Sequence, residues 1–157
     1  PKPGILCRDV TTLLRDKKGF KTAVKAIVDK YEGEKVGVVV AVEARGFILG
    51  GAIAHMLGAG FVPVRKRGKL PWRTQSVTYD LEYGTDTLEI HVDAVGAGDK
   101  VLIVDDLLAT GGTVKAVLDL IKQAEASVVG AAFFVELSEC KGRQKLQGVP
   151  IFSLIKY

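Results

Sequence analysis

Hydrophobic residues along the chain alternate between two periods. Over Lys21–Tyr31 the apolar positions Ala23, Val24, Ile27, Val28 and Tyr31 recur at helical spacing, and Gly33 follows as a stop signal. Val36–Val42 is a β-branched run, as expected of a strand buried on both faces. Phe47–Leu57 returns to a helical pattern, and its Gly50-Gly51 pair predicts close packing against a sheet. Gly60–Val64 predicts a short strand leading into a basic loop, Arg65-Lys66-Arg67-Gly68-Lys69. Ser76–Asp80 and Thr87–Val92 alternate polar and apolar residues around LEYGTD, which predicts an antiparallel hairpin with one solvated face. After a turn at Gly96–Lys100, a second buried strand is expected over Lys100–Val104, a helix over Thr113–Gln123 and a third buried strand over Ser127–Val135. Ile151–Ile155 predicts a last, edge strand.

Strands that alternate with helices predict an α/β fold: an open, mainly parallel sheet with helices on both faces, into which the hairpin is inserted. A single domain over residues 1–157 is expected, with no internal repeat or linker. The hydrophobic fraction of 48% and charged fraction of 25% fit a soluble globular chain. No apolar run approaches the roughly 20 residues that span a bilayer, and no charged-then-apolar leader is read. Cys7 and Cys140 lie far apart with neither metal nor redox spacing, so free thiols in a reducing cytoplasm are expected. The net charge of +4 suits anionic small molecules or nucleic acid and decides neither.

In open parallel sheets ligands bind at the carboxyl ends of the strands. Two polar clusters fall there: Glu43-Ala44-Arg45-Gly46 and the stretch Asp105–Thr113 within VLIVDDLLATGGT. Ala109, Thr110, Gly111, Gly112 and Thr113 lie between a strand and a helix start. Their small side chains let backbone N–H groups converge on an anion, the helix dipole adds positive potential, and Thr110 and Thr113 add hydroxyl donors. Asp105 and Asp106 would repel a phosphate. They suit a diol, or a divalent cation held through water. Phosphate and diol together describe a ribose 5-phosphate. Taken singly, the aspartates could be helix caps and the glycines a plain turn. The chain has no GxxxxGK[ST] and no GxGxxG after a strand, so neither a P-loop nor a dinucleotide fingerprint is present.

VLIVDDLLATGGT resembles the phosphoribosyl-pyrophosphate (PRPP) motif of the type I phosphoribosyltransferases. PKPGILCRD, EARGF (Glu43–Phe47), RKRGKLP (Arg65–Pro71) and YDLEYGTD (Tyr79–Asp86) match the same family in order along nearly the whole chain. The resemblance implies that family's fold, with a flexible hairpin and a small N-terminal hood. It also implies a helix of roughly 20 residues ahead of PKPG, which this sequence lacks. Members acting on 6-oxopurines typically carry an acid where this chain has Ala109, and often Lys where it has Gly112. The resemblance therefore points to the adenine-acting members, with AMP and pyrophosphate as products.

By the same resemblance Asp105 and Asp106 meet the ribose hydroxyls, and Ala109–Thr113 hold the 5-phosphate. Arg45 and Lys66 face the leaving pyrophosphate, with Glu43, Ala44 and Tyr83 beside them; Arg65 and Arg67 are weaker candidates. A cis peptide is expected at Glu43–Ala44 or Ala44–Arg45. Glu82 is the implied general acid/base. The main chains of Leu6 and Arg8 would read the adenine edge, and Leu107 would pack on the ring. Mg²⁺ is expected to arrive on PRPP, with no direct protein ligand. A homodimer is implied, with no nucleic-acid or membrane partner. Two alternatives stay open: an enzyme for another purine such as xanthine, and a PRPP-binding regulator.

Overall fold

Asp16 opens the first long helix. Its Oδ2 accepts a hydrogen bond from Gly19 N at 2.7 Å, satisfying one of the N–H groups that a first turn leaves free. The computed structural model describes residues 10–81 and 83–157. In it a short helix α1 (Thr11–Arg15) is followed by α2 (Lys17–Tyr31). The apolar stripe of α2 is the one the periodicity marks: Ala23, Val24, Ile27, Val28 and Tyr31 are buried. Gly33 is not the stop. The chain passes through a 3₁₀ turn, Glu32–Glu34, and leaves it at Lys35 in the left-handed region, with φ 55°.

The remaining elements are β1 (Val38–Val42), α3 (Arg45–Leu57), β2 (Gly60–Lys66), β3 (Thr74–Asp80), β4 (Thr85–His91), β5 (Lys100–Leu108), α4 (Gly112–Gln123), β6 (Ser127–Glu136) and β7 (Ile151–Lys156). The described strands form one sheet in the order β3-β4-β2-β1-β5-β6-β7. From β2 to β7 neighbouring strands are parallel; β3 and β4 run antiparallel. The expected α/β architecture is present, with one refinement. The hairpin β3–β4 extends the sheet edge, because β4 pairs with the end of β2 (Arg65 opposite Glu89, Lys66 opposite Leu88).

Side-chain alternation along β5 divides the core. Val101 and Ile103 pack with Val117, Ile121 and Phe133 on the α4 face. Leu102 and Val104 pack with Ile27, Leu49, Ile53 and Phe134 on the face of α2 and α3. Each such side chain contributes about 1.5–3 kcal/mol of burial energy. Both faces of the central strands are dry, so their carboxyl ends are the places where polar groups can gather.

Two strand ends differ from expectation. β5 continues to Leu108, so Asp105 and Asp106 lie within the strand; its partner β6 continues beside it, with Asp105 opposite Phe133 and Leu108 opposite Glu136. β2 likewise runs through Arg65 and Lys66, which are strand residues rather than loop residues. In both cases a neighbouring strand supplies hydrogen-bonding partners that a hydrophobic pattern does not reveal.

Candidate active site

α3 begins at Arg45, immediately beyond β1, and its first turn carries Gly46. A Cβ at Gly46 would lie 3.2 Å from Asp105 Oδ1. The glycine thus lets the carboxylate of β5 approach the start of α3. The turn leading into α3 contains a cis peptide at Glu43–Ala44, one of the two positions expected. Arg45 reaches across to β5, where its Nε lies 2.6 Å from Asp106 Oδ2. Asp106 is 6% exposed, whereas the Arg45 side chain is half exposed. A guanidinium has five N–H donors. Arg45 can therefore neutralise Asp106 and still face a second anion.

Asp105 has a different environment. Its Oδ1 accepts from Asp106 N at 2.8 Å. Burial, and then the charge of Asp106, push its carboxyl well above the usual aspartate range. The two adjacent acids therefore resist being charged together, and a group that donates hydrogen bonds to both relieves that cost.

Beyond them, Gly111 caps α4 in the left-handed region (φ 87°), and no side chain caps the helix start. The N–H groups of the first turn of α4 thus face the same recess as the small loop Ala109–Gly111. That recess, about 230 Å³, is lined by Arg45, Asp105–Thr113 and Val114. An adjoining recess of about 170 Å³ is lined by Glu43, Ala44, Lys66 and Tyr79, and shares Arg45, Asp105, Asp106 and Thr113 with the first. The two clusters read from the sequence therefore form one continuous polar site.

Glu43 organises its cationic side. Its Oε1 accepts from Lys66 N at 2.8 Å and from Arg65 Nε at 3.3 Å. These contacts hold the Glu43 carboxyl below the usual range, the Lys66 backbone N–H first among them, with the Arg65 side chain adding to it. A carboxylate placed in this way fixes the Arg65 guanidinium and the Lys66 backbone at the rim. The Lys66 side chain pairs with Asp86 of β4.

Most of the expected residues meet here: Glu43, Ala44, Arg45, Lys66, Asp105, Asp106, Leu107, Ala109, Thr110, Gly111, Gly112 and Thr113. Tyr83 does not, since it stands 88% exposed at the hairpin tip. Leu6, Arg8 and Glu82 lie outside the described residues. Tyr79 was not foreseen. It comes from β3 onto the start of α4, where its Cδ2 lies 3.9 Å from the Cβ position of Gly112. The alternation of β3 was the available signal, since it places Tyr79 on the same face as Val77, which packs against the core. Among the described residues no group of three or more His, Cys, Asp or Glu could cage a metal.

Residues 9–153 match the family profile described as a phosphoribosyl transferase domain. The chain is 56% identical to the adenine phosphoribosyltransferase of Maricaulis maris, over 100% of this chain and 91% of that protein. The crystal structure of adenine phosphoribosyltransferase from Thermoanaerobacter pseudethanolicus superposes with a TM-score of 0.96 at 50% identity, covering 100% of this chain and 91% of that one. The Saccharomyces cerevisiae enzyme, solved with adenine and an imino-altritol bisphosphate, gives a TM-score of 0.91 at 41% identity, covering 96% and 88%.

Proposed function

The chain belongs to the phosphoribosyltransferase family, and we propose for its site the division of labour that follows. The reaction transfers the 5-phosphoribosyl group of PRPP to N9 of adenine, giving AMP and pyrophosphate, a purine-salvage step. The carrying observation is the acid pair Asp105–Asp106 in one recess with the bare loop Ala109–Gly111 and the uncapped start of α4.

The acid pair accepts hydrogen bonds from the ribose 2- and 3-hydroxyls. The N–H groups of the loop and first turn, with the Thr110 and Thr113 hydroxyls, hold the 5-phosphate. Cleavage at the anomeric carbon leaves positive charge on the ribose and negative charge on the departing pyrophosphate. Arg45 and Lys66 lie on the side where the leaving group emerges, steadied by Glu43 and by the turn at Ala44, and they neutralise it as the bond breaks. Adenine gives its N9 proton to solvent as Glu82, with Tyr83 beside it, gives one to N7. Once N9 is bonded to the anomeric carbon, Glu82 takes the N7 proton back, a task for which Ala109 has no carboxylate. Leu107 packs on the ring, and the main chains of Leu6 and Arg8 read its amino edge.

Mg²⁺ fits this donor set as a passenger of the substrate. Among the described residues the two carboxylates have no third acid, imidazole or thiol grouped with them to cage a bare ion, and Asp105 and Asp106 would hold a hydrated one through water. When bound, it supplies charge neutralisation to the pyrophosphate. Charged, phosphorylated substrates favour a cytoplasmic enzyme, which cell fractionation checks. The partner assigned to the outer face of α3 is a second copy of the chain, which the mass in solution checks.

The deciding experiment is AMP formation from adenine and PRPP with Mg²⁺, beside hypoxanthine, guanine and xanthine. Adenine should be the preferred base; faster turnover of an oxopurine would overturn the assignment. In the same assay Glu82→Gln should lower kcat more than about fivefold, roughly 1 kcal/mol. A smaller fall removes Glu82 from the proton transfer.

A further inference from the structure

Gly142 lies in the turn between β6 and β7, outside every motif that points to the site. A Cβ there would stand 2.4 Å from Ala109 O and 2.9 Å from Leu108 Cδ1, while a Cβ at Gly111 would stand 2.7 Å from Gly142 O. The two backbone segments thus touch directly, and neither tolerates a side chain at the contact. The segment touched is the phosphate loop.

What fixes the turn is a buried charge. Among the described residues the buried charged ones are Asp106 and Glu136. Asp106 belongs to the site. Glu136 ends β6, opposite Leu108 in the sheet register. It takes the Arg143 guanidinium in a fork, Nε to Oε2 at 2.8 Å and Nη2 to Oε1 at 2.9 Å, and also accepts from Ser153 Oγ at 2.7 Å. Leu137 N donates to Leu108 O at 2.9 Å, tying the same segment to the strand that feeds the loop. Burying an ion pair adds little net stability, whereas a two-point fork fixes position.

We propose that Gly142 and Arg143 are positioning residues for phosphate binding. Anchored on Glu136, the turn presses a bare backbone against Ala109–Gly111 and aims that loop's N–H groups at the 5-phosphate. This rests on the reading of Ala109–Thr113 as the phosphate site. N–H donors work only when already aimed, and misplacement on the ångström scale costs up to about a hundredfold.

The test measures the Kd for AMP by calorimetry and the KM values for PRPP and adenine. It compares wild type with Gly142→Ala, Arg143→Met, Arg143→Lys and the control Gly33→Ala, whose added methyl meets nothing within 4 Å. Gly142→Ala should raise the AMP Kd and the PRPP KM about tenfold or more. The adenine KM and the kcat at saturating PRPP should change less than about threefold. Arg143→Met should move the same two constants in the same direction, and Arg143→Lys should recover part of the loss. If Gly142→Ala does not fold, the Arg143 pair decides alone. Unchanged AMP and PRPP constants would overturn the proposal, as would equal losses in both KM values and kcat. Failure of the wild type to bind AMP would instead overturn the phosphate-site reading beneath it.

Discussion

Three carboxylates in the carboxyl-terminal halves of the neighbouring strands β5 and β6 meet different fates. Asp106 pairs with Arg45, Asp105 is pushed toward its neutral form, and Glu136 is held below the usual range, by the Arg143 fork first and by the Ser153 hydroxyl further. The ordinary glutamate value is 4.5, and the folded chain lowers it for Glu136. The folded state thus binds that proton more weakly than the unfolded chain does. The resulting stability is fully present above pH 4.5 and is lost as the pH falls through the folded value. Glu136→Gln should therefore lower Tm at pH 7. Arg143 is partly exposed, so the loss should be about 1–2 kcal/mol rather than that of a fully buried pair. For a chain of this size that is roughly 2–8 °C. Melting curves should converge as the pH falls below 4.5; a Tm difference constant with pH would mean that the carboxylate charge is not the cause. Residues of this scale were legible in the sequence where chemistry and adjacency coincide. Asp105-Asp106 and the small loop after them could be read as one polar cluster, and they line one recess; the meaning given to Ala109 came from the resemblance to the family. Gly142 and Glu136 gave no such signal, because their meaning depends on which strand lies beside β5.

Elements were legible wherever a pattern ran long enough. The β-branched runs of β1, β5 and β6 and the stripes of α2 and α4 come directly from hydrophobic period. Their ends were not legible, since termini are set by partners: Asp16 for α2, β4 for the end of β2, β6 for the end of β5. The glycine pair of α3 shows the same dependence. Both glycines could be expected to pack on the sheet, yet only Gly50 does. A Cβ there would lie 2.9 Å from Phe61 Cε2 and 3.0 Å from Ala41 Cβ, whereas at Gly51 it would meet nothing within 4 Å. Gly50→Ala gains about 1 kcal/mol of helix propensity. Overpacking against Phe61 and the short, immobile Ala41 costs about 1–3 kcal/mol. The net should be a loss of about 1 kcal/mol, a Tm lower by roughly 2–4 °C. A higher Tm would show that α3 can shift outward without cost.

On the scale of the whole molecule, α3 poses a problem that one copy of the described chain does not solve. Its inner stripe, Gly46, Leu49, Gly50, Ile53 and Ala54, is buried. Its outer side repeats at the same spacing with Ile48, Ala52, His55 and Met56, yet Ile48 is 52% and Met56 53% exposed. Between Arg45 and His55 the helix has no polar side chain at all. A helix apolar all round belongs in an interior, and a contiguous apolar stripe on a surface marks a contact. A second copy offers the same stripe, and a two-fold axis lets one helix cover the other. The chain should therefore sediment at twice its 16.8 kDa mass. Ile48→Lys combined with Met56→Lys should return it to one chain, because two desolvated ammonium groups cannot be buried opposite their own copies. A wild type of single-chain mass would remove the dimer. A double variant that stays dimeric would move the interface away from α3. Because α3 starts at Arg45, whose Nε reaches Asp106, an interface on this helix would also steady the cationic rim of the site. Dissociation should then weaken pyrophosphate handling before it unfolds the chain.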